Sequence, residues 1–220
     1  MNIDKKMQID IIKNLGKLGS APISTSTLKS LLNDYDYPNN KIASLTDDGY
    51  LIRLRKGLYA VSPEITGDPI DRNIISNNMY GPSYISYHSA LYYYGLIPEA
   101  VIATTAVTFK NSKSYITPLG SFKYYHVPMD YYSVGYSAIS TNNEHYIIAL
   151  REKALCDLFI LNKGIKLQSK KSVSIFLEHD MRVDMDQLAF FDTDIIDECI
   201  NVGIKKKELS FLKEIINDYK

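Results

Sequence analysis

Apolar residues recur at intervals of three and four along three short segments near the beginning of the chain, and this spacing predicts three helices. The segments are residues 4–18, 25–32 and 38–48. Ser24 is a suitable N-cap for the second helix, and Gly49 suits the left-handed position that follows the third. The first fifty residues are therefore expected to be mainly helical and to share one apolar core.

The spacing of apolar residues changes in residues 50–61, which read YLIRLRKGLYAV. Apolar and basic side chains alternate up to Arg55, and this alternation predicts a β-strand. Lys56 and Gly57 then predict a tight turn into a second strand. Three short helices followed by a hairpin with a basic tip are typical of a winged helix-turn-helix domain, which is expected here over residues 1–62.

Residues 63–71 contain two prolines and a glycine and are expected to form a linker. In the remaining residues, 72–220, strands are expected at 101–109, 122–127, 134–139 and 145–148. Helices are expected at 72–79, at 87–94 with Ser86 as N-cap, at 149–162 and in several short segments after residue 172. The predicted fold class is α+β: a winged helix-turn-helix, then a small mixed or antiparallel sheet with packed helices, then a helical C-terminal part.

The chain has 25 Lys and Arg and 25 Asp and Glu, so its formal net charge is zero. The charge is nevertheless uneven, because residues 1–62 carry more basic than acidic side chains and the rest of the chain does not. If any part of the chain binds nucleic acid, this first segment is favoured. The first residues contain no apolar run, and no apolar stretch approaches the length of a membrane span. The sequence therefore predicts a cytoplasmic protein without a membrane partner.

The third predicted helix would enter the major groove of double-stranded DNA, and the hairpin tip would reach phosphates or the minor groove. The candidate DNA-binding residues are Asn39, Asn40, Lys41, Ser44, Arg53, Arg55 and Lys56. Asparagine can bind an adenine edge with two hydrogen bonds, and the basic side chains can neutralise phosphates. Asp47 and Asp48 weigh against this interpretation because carboxylates repel phosphate. The alternative is a small helical domain whose solvated basic hairpin packs against the rest of the chain.

Tyrosine is unusually frequent, and twelve of the 18 tyrosines lie between Tyr80 and Tyr136. Tyrosine suits a half-buried face of a sheet, where the ring packs and the hydroxyl stays in water. The alternative is a stacking platform for bases or a surface for a partner. Only one lysine accompanies Tyr124 and Tyr125, which gives the stacking alternative little support.

No arrangement of residues predicts an active site. The four histidines lack metal-ligand spacing, and His88 is expected to be a packed helix residue. Lys153 and Asp157 stand four residues apart on a predicted helix and are expected to form an ordinary surface ion pair. Cys156 and Cys199 are expected to be buried and free. The sequence therefore predicts a protein that is not an enzyme and that has no catalytic residue, metal site or cofactor.

Three stretches, taken in order, resemble the AbiEi-type antitoxin family of type IV toxin–antitoxin systems. They are LTDDGYLIRLRKGLYAV at residues 45–61, YISYHSALYYYGLIP at residues 84–98 and REKALCDLF at residues 151–159. The first resembles the winged helix of the family, and the other two resemble helices of its antitoxin domain. The resemblance covers residues 5–160. Lys56 stands where the family often has arginine, and it keeps the cation but lacks the guanidinium fork.

The resemblance implies that the chain represses its own operon, at an operator expected to contain inverted repeats. It also implies that the chain counteracts a nucleotidyltransferase-like toxin encoded beside it, without the need for a stable complex. The residues themselves leave two alternatives open. One is a stand-alone winged-helix transcriptional regulator whose C-terminal domain senses a ligand or a partner. The other is an enzyme with a helical module that recruits its substrate.

Overall fold

The computed structural model describes residues 3–19, 21–141, 144–162 and 164–220. Contacts within the chain divide it into two units. The first unit comprises Met1–Gly81 and Tyr115–Ser121, and the second comprises Pro82–Ser114 and Phe122–Lys220. The mixture of helices and strands that the sequence predicts is confirmed. Within the described ranges, no helix has both the length and the apolar character needed to cross a bilayer.

The elements of the first unit alternate between helices and short strands. In order they are α1 (Ile3–Gly16), β1 (Ile23–Ser24), α2 (Thr25–Leu31), α3 (Pro38–Asp47), β2 (Leu51–Arg55), β3 (Leu58–Val61), α4 (Pro63–Thr66) and α5 (Arg72–Met79). The strands form an antiparallel sheet in the order β1-β3-β2. The core between helices and sheet consists of Ile11, Leu15, Ile23, Leu28, Leu32, Ile42, Leu45, Leu51 and Val61.

Local sequence sets the ends of α2 and α3. The N-cap predicted at Ser24 is confirmed, because its Oγ accepts a hydrogen bond from the backbone N–H of Thr27 at 3.1 Å. Pro38 lies in the first turn of α3, where its missing N–H would have no intrahelical partner. Gly49 follows α3 with a φ of 78°, a left-handed conformation that glycine adopts without strain.

The first unit continues through residues 63–71, the segment expected to be a linker. Pro63–Thr66 forms α4 inside that segment, and α4 packs against α1. The packing is close, since a Cβ on Gly16 would lie 3.1 Å from the carbonyl oxygen of Ile65. The first unit continues past this segment to Gly81, so residues 63–71 lie inside it.

The second unit contains most of a larger sheet and the helices of the C-terminal part. The strands of this sheet and the helices between them are β4 (Tyr84–Ile85), α6 (His88–Tyr93), β5 (Ala103–Thr108), β6 (Lys113–Thr117), β7 (Gly120–His126), α7 (Met129–Tyr132), β8 (Tyr136–Thr141) and β9 (Glu144–Ala149). The segment Tyr115–Ser121, which holds most of β6, is grouped with the first unit. The strand order is β6-β7-β5-β4-β9-β8. The β4–β9 pair is parallel, whereas β4–β5 and β8–β9 are antiparallel, so the sheet is mixed.

Helices make up the rest of the second unit. They are α8 (Arg151–Leu161), α9 (Lys170–Ile175), a π-helical turn (Phe176–Asp180), a 3-10 helix (Met185–Phe190), α10 (Thr193–Val202) and α11 (Lys206–Asp218). α8 contacts α6, β9, α10 and α11, and its residues 152–159 are all buried. A helix enclosed in this way is the centre of the unit's core.

Candidate nucleic-acid interface

Helix α3 presents two asparagines to solvent in its first turn. Ile42 and Leu45 are buried in the core of the first unit, whereas Asn39 and Asn40 are exposed. Asn40 lies on the side of the helix opposite Ile42, whereas Asn39, three residues before Ile42, lies at the margin of the buried side. Both amide groups are therefore available to an external partner.

The other two candidates on α3 make contacts within the first unit. The Nζ of Lys41 lies 5.4 Å from the ring centroid of Tyr35, which is a cation–π distance. The Oγ of Ser44 donates a hydrogen bond to Oδ2 of Asp48 at 3.3 Å. Ser44 is thus engaged with a carboxylate at the end of α3, and its hydroxyl is a weaker candidate for contact with a base than the two asparagine amides.

The β2–β3 hairpin turns both of its arginines outward. The pairing of the two strands shifts register between Arg53 and Arg55. A register shift interrupts the strict alternation of faces, so Leu51 and Leu54 are both buried while both arginines are exposed. Gly57, with a φ of 81°, occupies the left-handed position of the turn.

The three basic side chains of the hairpin differ in what they bind. Arg55 donates from Nε to the carbonyl oxygen of Met79 at 3.1 Å and from Nη1 to that of Lys56 at 3.3 Å. Arg53 and Lys56 are exposed, and neither forms an ion pair with any residue that the structure describes. Arg55 therefore braces the hairpin against the end of α5, while Arg53 and Lys56 remain available to phosphate.

The helix and the hairpin are held together by one core. α3 packs against β2, and Ile42 and Leu45 join Leu51 in the same cluster. The exposed asparagine amides of α3 and the exposed cations of the hairpin therefore stand on elements that pack against each other. The candidates left accessible are Asn39, Asn40, Arg53 and Lys56.

The second unit contains a buried ion pair that the sequence analysis assigns to the surface. That prediction is wrong: the side chains of Lys153 and Asp157 on α8 are both 0% exposed, and Nζ lies 3.3 Å from Oδ1. The physical reason is that other elements enclose α8 on all sides, while a spacing of four residues is the same for a surface pair and a buried pair. The Lys153 ammonium also donates to the carbonyl oxygen of Tyr131 at 3.0 Å.

Ser86 belongs to this buried cluster and does not cap α6, so that prediction is also wrong. Its Oγ donates to Oδ2 of Asp157 at 2.5 Å. The N-cap position of α6 is Tyr87, which makes no side-chain capping bond. A buried carboxylate binds a hydroxyl strongly, because no water competes for it, and this partner lies 71 residues away in the chain.

Two buried tyrosines enclose the Lys153 ammonium group. Its Nζ lies 2.9 Å from the ring centroid of Tyr131 and 5.8 Å from that of Tyr84. Burial raises the pKa of both tyrosines well above the ordinary value, and the nearby charge of Asp157 raises both further. The cluster is closed to solvent, so it stabilises the contact of α8 with β4 and α7 rather than offering a place where a substrate could react.

The two cysteines are buried and free, as predicted. A hydrogen bond with Cys199 and burial together raise the pKa of the Cys156 thiol. Since the thiolate is the reactive form of cysteine, Cys156 is expected to be unreactive at neutral pH.

We expect the protein to lose stability as the pH rises from about 10 towards 12. Burial, and secondarily the neighbouring Tyr93, raises the pKa of Tyr94 to about 12, above the 10.0 of an exposed tyrosine. Between these values the unfolded state has released a proton that the folded state keeps, so the free energy of unfolding falls by about 1.4 kcal/mol per pH unit for each such tyrosine. Urea unfolding at several alkaline pH values measures the slope.

The Tyr94→Phe variant is the control for this loss of stability at alkaline pH, because phenylalanine keeps the ring and has no ionisable hydroxyl. It also loses the 3.0 Å hydrogen bond to the carbonyl oxygen of Ala149, so it should be less stable at neutral pH. Its alkaline slope should nevertheless be shallower than that of the parent chain. A free energy of unfolding that stays constant over the same pH interval would contradict the prediction.

No protein-family model matches the sequence, and no curated protein matches it significantly. The functional interpretation therefore depends on the geometry of the two units and on the resemblance of residues 45–61, 84–98 and 151–159. In the structure these stretches contribute the end of α3 with the β2–β3 hairpin, β4 with α6, and most of α8.

Proposed function

We propose that the chain is the DNA-binding antitoxin of a type IV toxin–antitoxin system, and that its first unit is a winged helix-turn-helix domain. The observation that carries the DNA-binding part is the exposure of Asn39 and Asn40 on α3 together with a hairpin whose Arg53 and Lys56 have no ion-pair partner among the described residues. The order α1-β1-α2-α3-β2-β3 supports the winged-helix assignment, since three helices followed by a hairpin define that motif.

In this proposal, α3 enters the major groove of the operator and the hairpin lies along the phosphate backbone. Asn39 and Asn40 read base edges, and an asparagine amide can bind adenine with two hydrogen bonds. Arg53 and Lys56 neutralise phosphates, which supplies affinity for DNA of any sequence. Arg55 acts indirectly, because its bond to the carbonyl oxygen of Met79 fixes the direction of the hairpin.

The antitoxin part of the proposal depends on the resemblance of residues 84–98 and 151–159 to the antitoxin domain of the AbiEi-type family. The two stretches are joined directly by the hydrogen bond from Ser86 to Asp157. Their packing into one core supports the idea that they form one functional domain. We propose that this domain counteracts a nucleotidyltransferase-like toxin in the cytoplasm without a catalytic residue or cofactor of its own.

Co-expression with the gene adjacent to its own tests the whole proposal. The full chain should restore growth to a host that expresses the neighbouring gene. The same chain should repress a reporter placed behind the DNA upstream of its operon, and an operator with inverted repeats should bind it in a mobility-shift assay.

The outcomes separate the parts of the proposal. Repression combined with a harmless neighbouring gene would reject the antitoxin part and leave a winged-helix transcriptional regulator. Rescue of growth without binding to the upstream DNA would reject the DNA-binding part. Failure of both assays with soluble, folded protein would reject the proposal as a whole.

A further inference from the structure

A cavity of about 400 Å³ opens on the second unit between the start of α6, the start of β5 and the exposed face of β7. We call it the tyrosine pocket. Its lining residues are Tyr87, His88, Ile97, Glu99, Ala100, Val101, Ile102, Ala103, Thr105, Lys123 and Tyr125. The volume lies within the range of pockets that hold small molecules. All of its lining residues belong to the second unit, whereas the elements proposed to bind DNA belong to the first.

Aromatic rings form one wall of the tyrosine pocket. The ring centroid of Tyr87 lies 5.5 Å from that of Tyr125, with the rings edge to face, and 4.0 Å from that of His88. The arrangement places three flat surfaces around the cavity. An aromatic wall of this kind favours a planar ring as ligand, because stacked and edge-to-face contacts both stabilise aromatic groups.

The backbone of Tyr87 is held in a conformation that only glycine adopts readily, with a φ of 57° and a ψ of −138°. Such a conformation persists only where the surrounding structure enforces it, and it is found preferentially at ligand sites. Here the neighbouring Ser86 is fixed on both sides: its Oγ donates to Asp157, and its carbonyl oxygen accepts a 2.6 Å hydrogen bond from Oγ1 of Thr105. These bonds hold the backbone immediately before Tyr87, whose side chain lines the cavity.

The loop on the other side of the tyrosine pocket is anchored before any ligand binds. The backbone N–H of Asp184 donates to the carbonyl oxygen of Leu96 at 2.9 Å. The Nε2 of Gln187 donates to the carbonyl oxygen of Gly95 at 3.2 Å. These bonds hold the start of the loop that supplies Ile97 and the residues after it, so the cavity is largely preformed, as small-molecule sites usually are.

The tyrosine pocket carries one uncompensated positive charge at neutral pH. Lys123 is exposed and forms no ion pair with a described residue, whereas Glu99 is paired with Arg182. Burial lowers the pKa of His88, so its imidazole is neutral. Burial also raises the pKa of Tyr87 and of Tyr125, so both hydroxyls remain protonated. The cavity therefore favours a ligand that carries an anionic group.

We propose that the tyrosine pocket binds a small aromatic anion, with its planar ring against Tyr87 and Tyr125 and its anionic group at Lys123. Two sources supply this chemistry: nucleoside monophosphates and aromatic carboxylates. The proposal does not depend on DNA binding or on toxin neutralisation, because every lining residue belongs to the second unit and none belongs to the buried ion pair.

Calorimetry and saturation-transfer NMR on the full chain test the proposal. The probes are the four common nucleoside monophosphates and the carboxylates 4-hydroxybenzoate and indole-3-carboxylate, each compared with its neutral counterpart, the nucleoside, phenol or indole. At least one anionic probe should bind, and it should bind roughly tenfold or more tightly than its neutral counterpart, as expected for a hydrogen bond to a charged group. The class of probe that binds identifies the source of the ligand.

Substitutions then locate the site. Lys123→Ala should weaken binding roughly tenfold, whereas Lys171→Ala, which removes an equally exposed lysine on α9, should leave it unchanged. Tyr125→Phe should retain the ring contact and most of the affinity, and Tyr125→Ala should lose both. An unchanged thermal midpoint for Lys123→Ala would show that the loss is not due to unfolding.

Three results would overturn the proposal. The first is the absence of binding by every probe at millimolar concentration. The second is equal affinity for an anionic probe and its neutral counterpart. The third is binding that Lys123→Ala does not weaken.

Discussion

Replacing Lys153 with methionine is expected to lower the free energy of unfolding by about 3–5 kcal/mol. This loss is a large part of the stability of an average domain. Methionine nearly matches the length of the lysine side chain, so the change removes a charge with little loss of volume. It leaves the Asp157 carboxylate 0% exposed and without a counter-charge, although the Ser86 hydroxyl still donates to it. An unpaired buried carboxylate is costly because it has lost its hydration without gaining a counter-charge. Urea unfolding at neutral pH measures the loss.

A second ion pair in the same unit provides a matched control. Lys213 and Asp197 also pair closely, with Nζ 2.6 Å from Oδ2, but their side chains are 33% and 42% exposed. Lys213→Met should therefore cost less than about 1 kcal/mol, because water solvates the carboxylate that remains. Similar costs for Lys213→Met and Lys153→Met would contradict the burial that the structure gives to Lys153 and Asp157.

The double variant Lys153→Met/Asp157→Leu separates the cost of a buried charge from the loss of packing. Removing both charges leaves no ion in the core, and apolar replacements of a buried ion pair are often neutral or stabilising. The double variant should therefore be more stable than Lys153→Met alone, a non-additivity that marks direct coupling between the two residues. Its stability need not reach that of the parent chain, because the Ser86 hydroxyl loses its acceptor.

The sequence did contain an indication that Lys153 and Asp157 are buried. Apolar residues occupy positions 154–156 and 158–161, and together they leave no wide polar face on the helix. A helix that is apolar all round belongs inside a core, and the charged residues within it must then be buried as well. The spacing of four residues predicts an ion pair but does not distinguish a surface pair from a buried one.

Predictions made from local physics agree with the structure, whereas those that depend on distant partners do not. Ser24 caps α2 with a hydrogen bond three residues away, and Gly49 ends α3 through its own backbone conformation. Ser86, like Ser24, is a serine directly before a predicted helix. Its hydroxyl instead donates to a buried carboxylate 71 residues along the chain. Only the folded structure determines which of two possible partners a serine takes.

The same distinction applies to the candidate DNA-binding residues. The exposure of Asn40 is predictable from the sequence, because the helical period of α3 places it opposite the buried Ile42. The bond from Arg55 to the carbonyl oxygen of Met79 joins residues 24 apart and could not be predicted. Because of that bond, Arg53 and Lys56 are the better candidates for phosphate contact, although all three residues contribute equally to the charge of the segment.

The triple variant Asn40→Ala/Arg53→Ala/Lys56→Ala is expected to bind operator DNA roughly 10²–10³-fold more weakly than the parent chain, since it loses two phosphate contacts and one base contact. The dependence of log affinity on log salt concentration should become shallower by about two units, one for each cation removed. Lys56→Ala alone should weaken binding to all sequences and reduce the slope by about one unit. Fluorescence anisotropy over a series of salt concentrations measures both quantities.

A triple variant at the end of α1 and in the turn after it matches this change in charge. Lys13→Ala/Asn14→Ala/Lys17→Ala likewise removes two exposed cations and one exposed asparagine from the first unit, but none of them lies on α3 or the hairpin. It should keep nearly all of the affinity, apart from a small effect of net charge that salt screens. Equal losses in the two triple variants would mean that the first unit attracts DNA only through its overall charge, and the assignment of α3 and the hairpin would be wrong.

Growth rescue by the same triple variant of α3 and the hairpin tests whether the two proposed activities are separable. All three substituted side chains belong to the first unit and are exposed, so the core that joins residues 84–98 to 151–159 should be unaffected. We therefore expect repression of the operon to be lost while rescue from the toxin is retained. If rescue is lost together with repression and the protein remains folded, neutralisation depends on DNA binding, and the second unit does not act on its own.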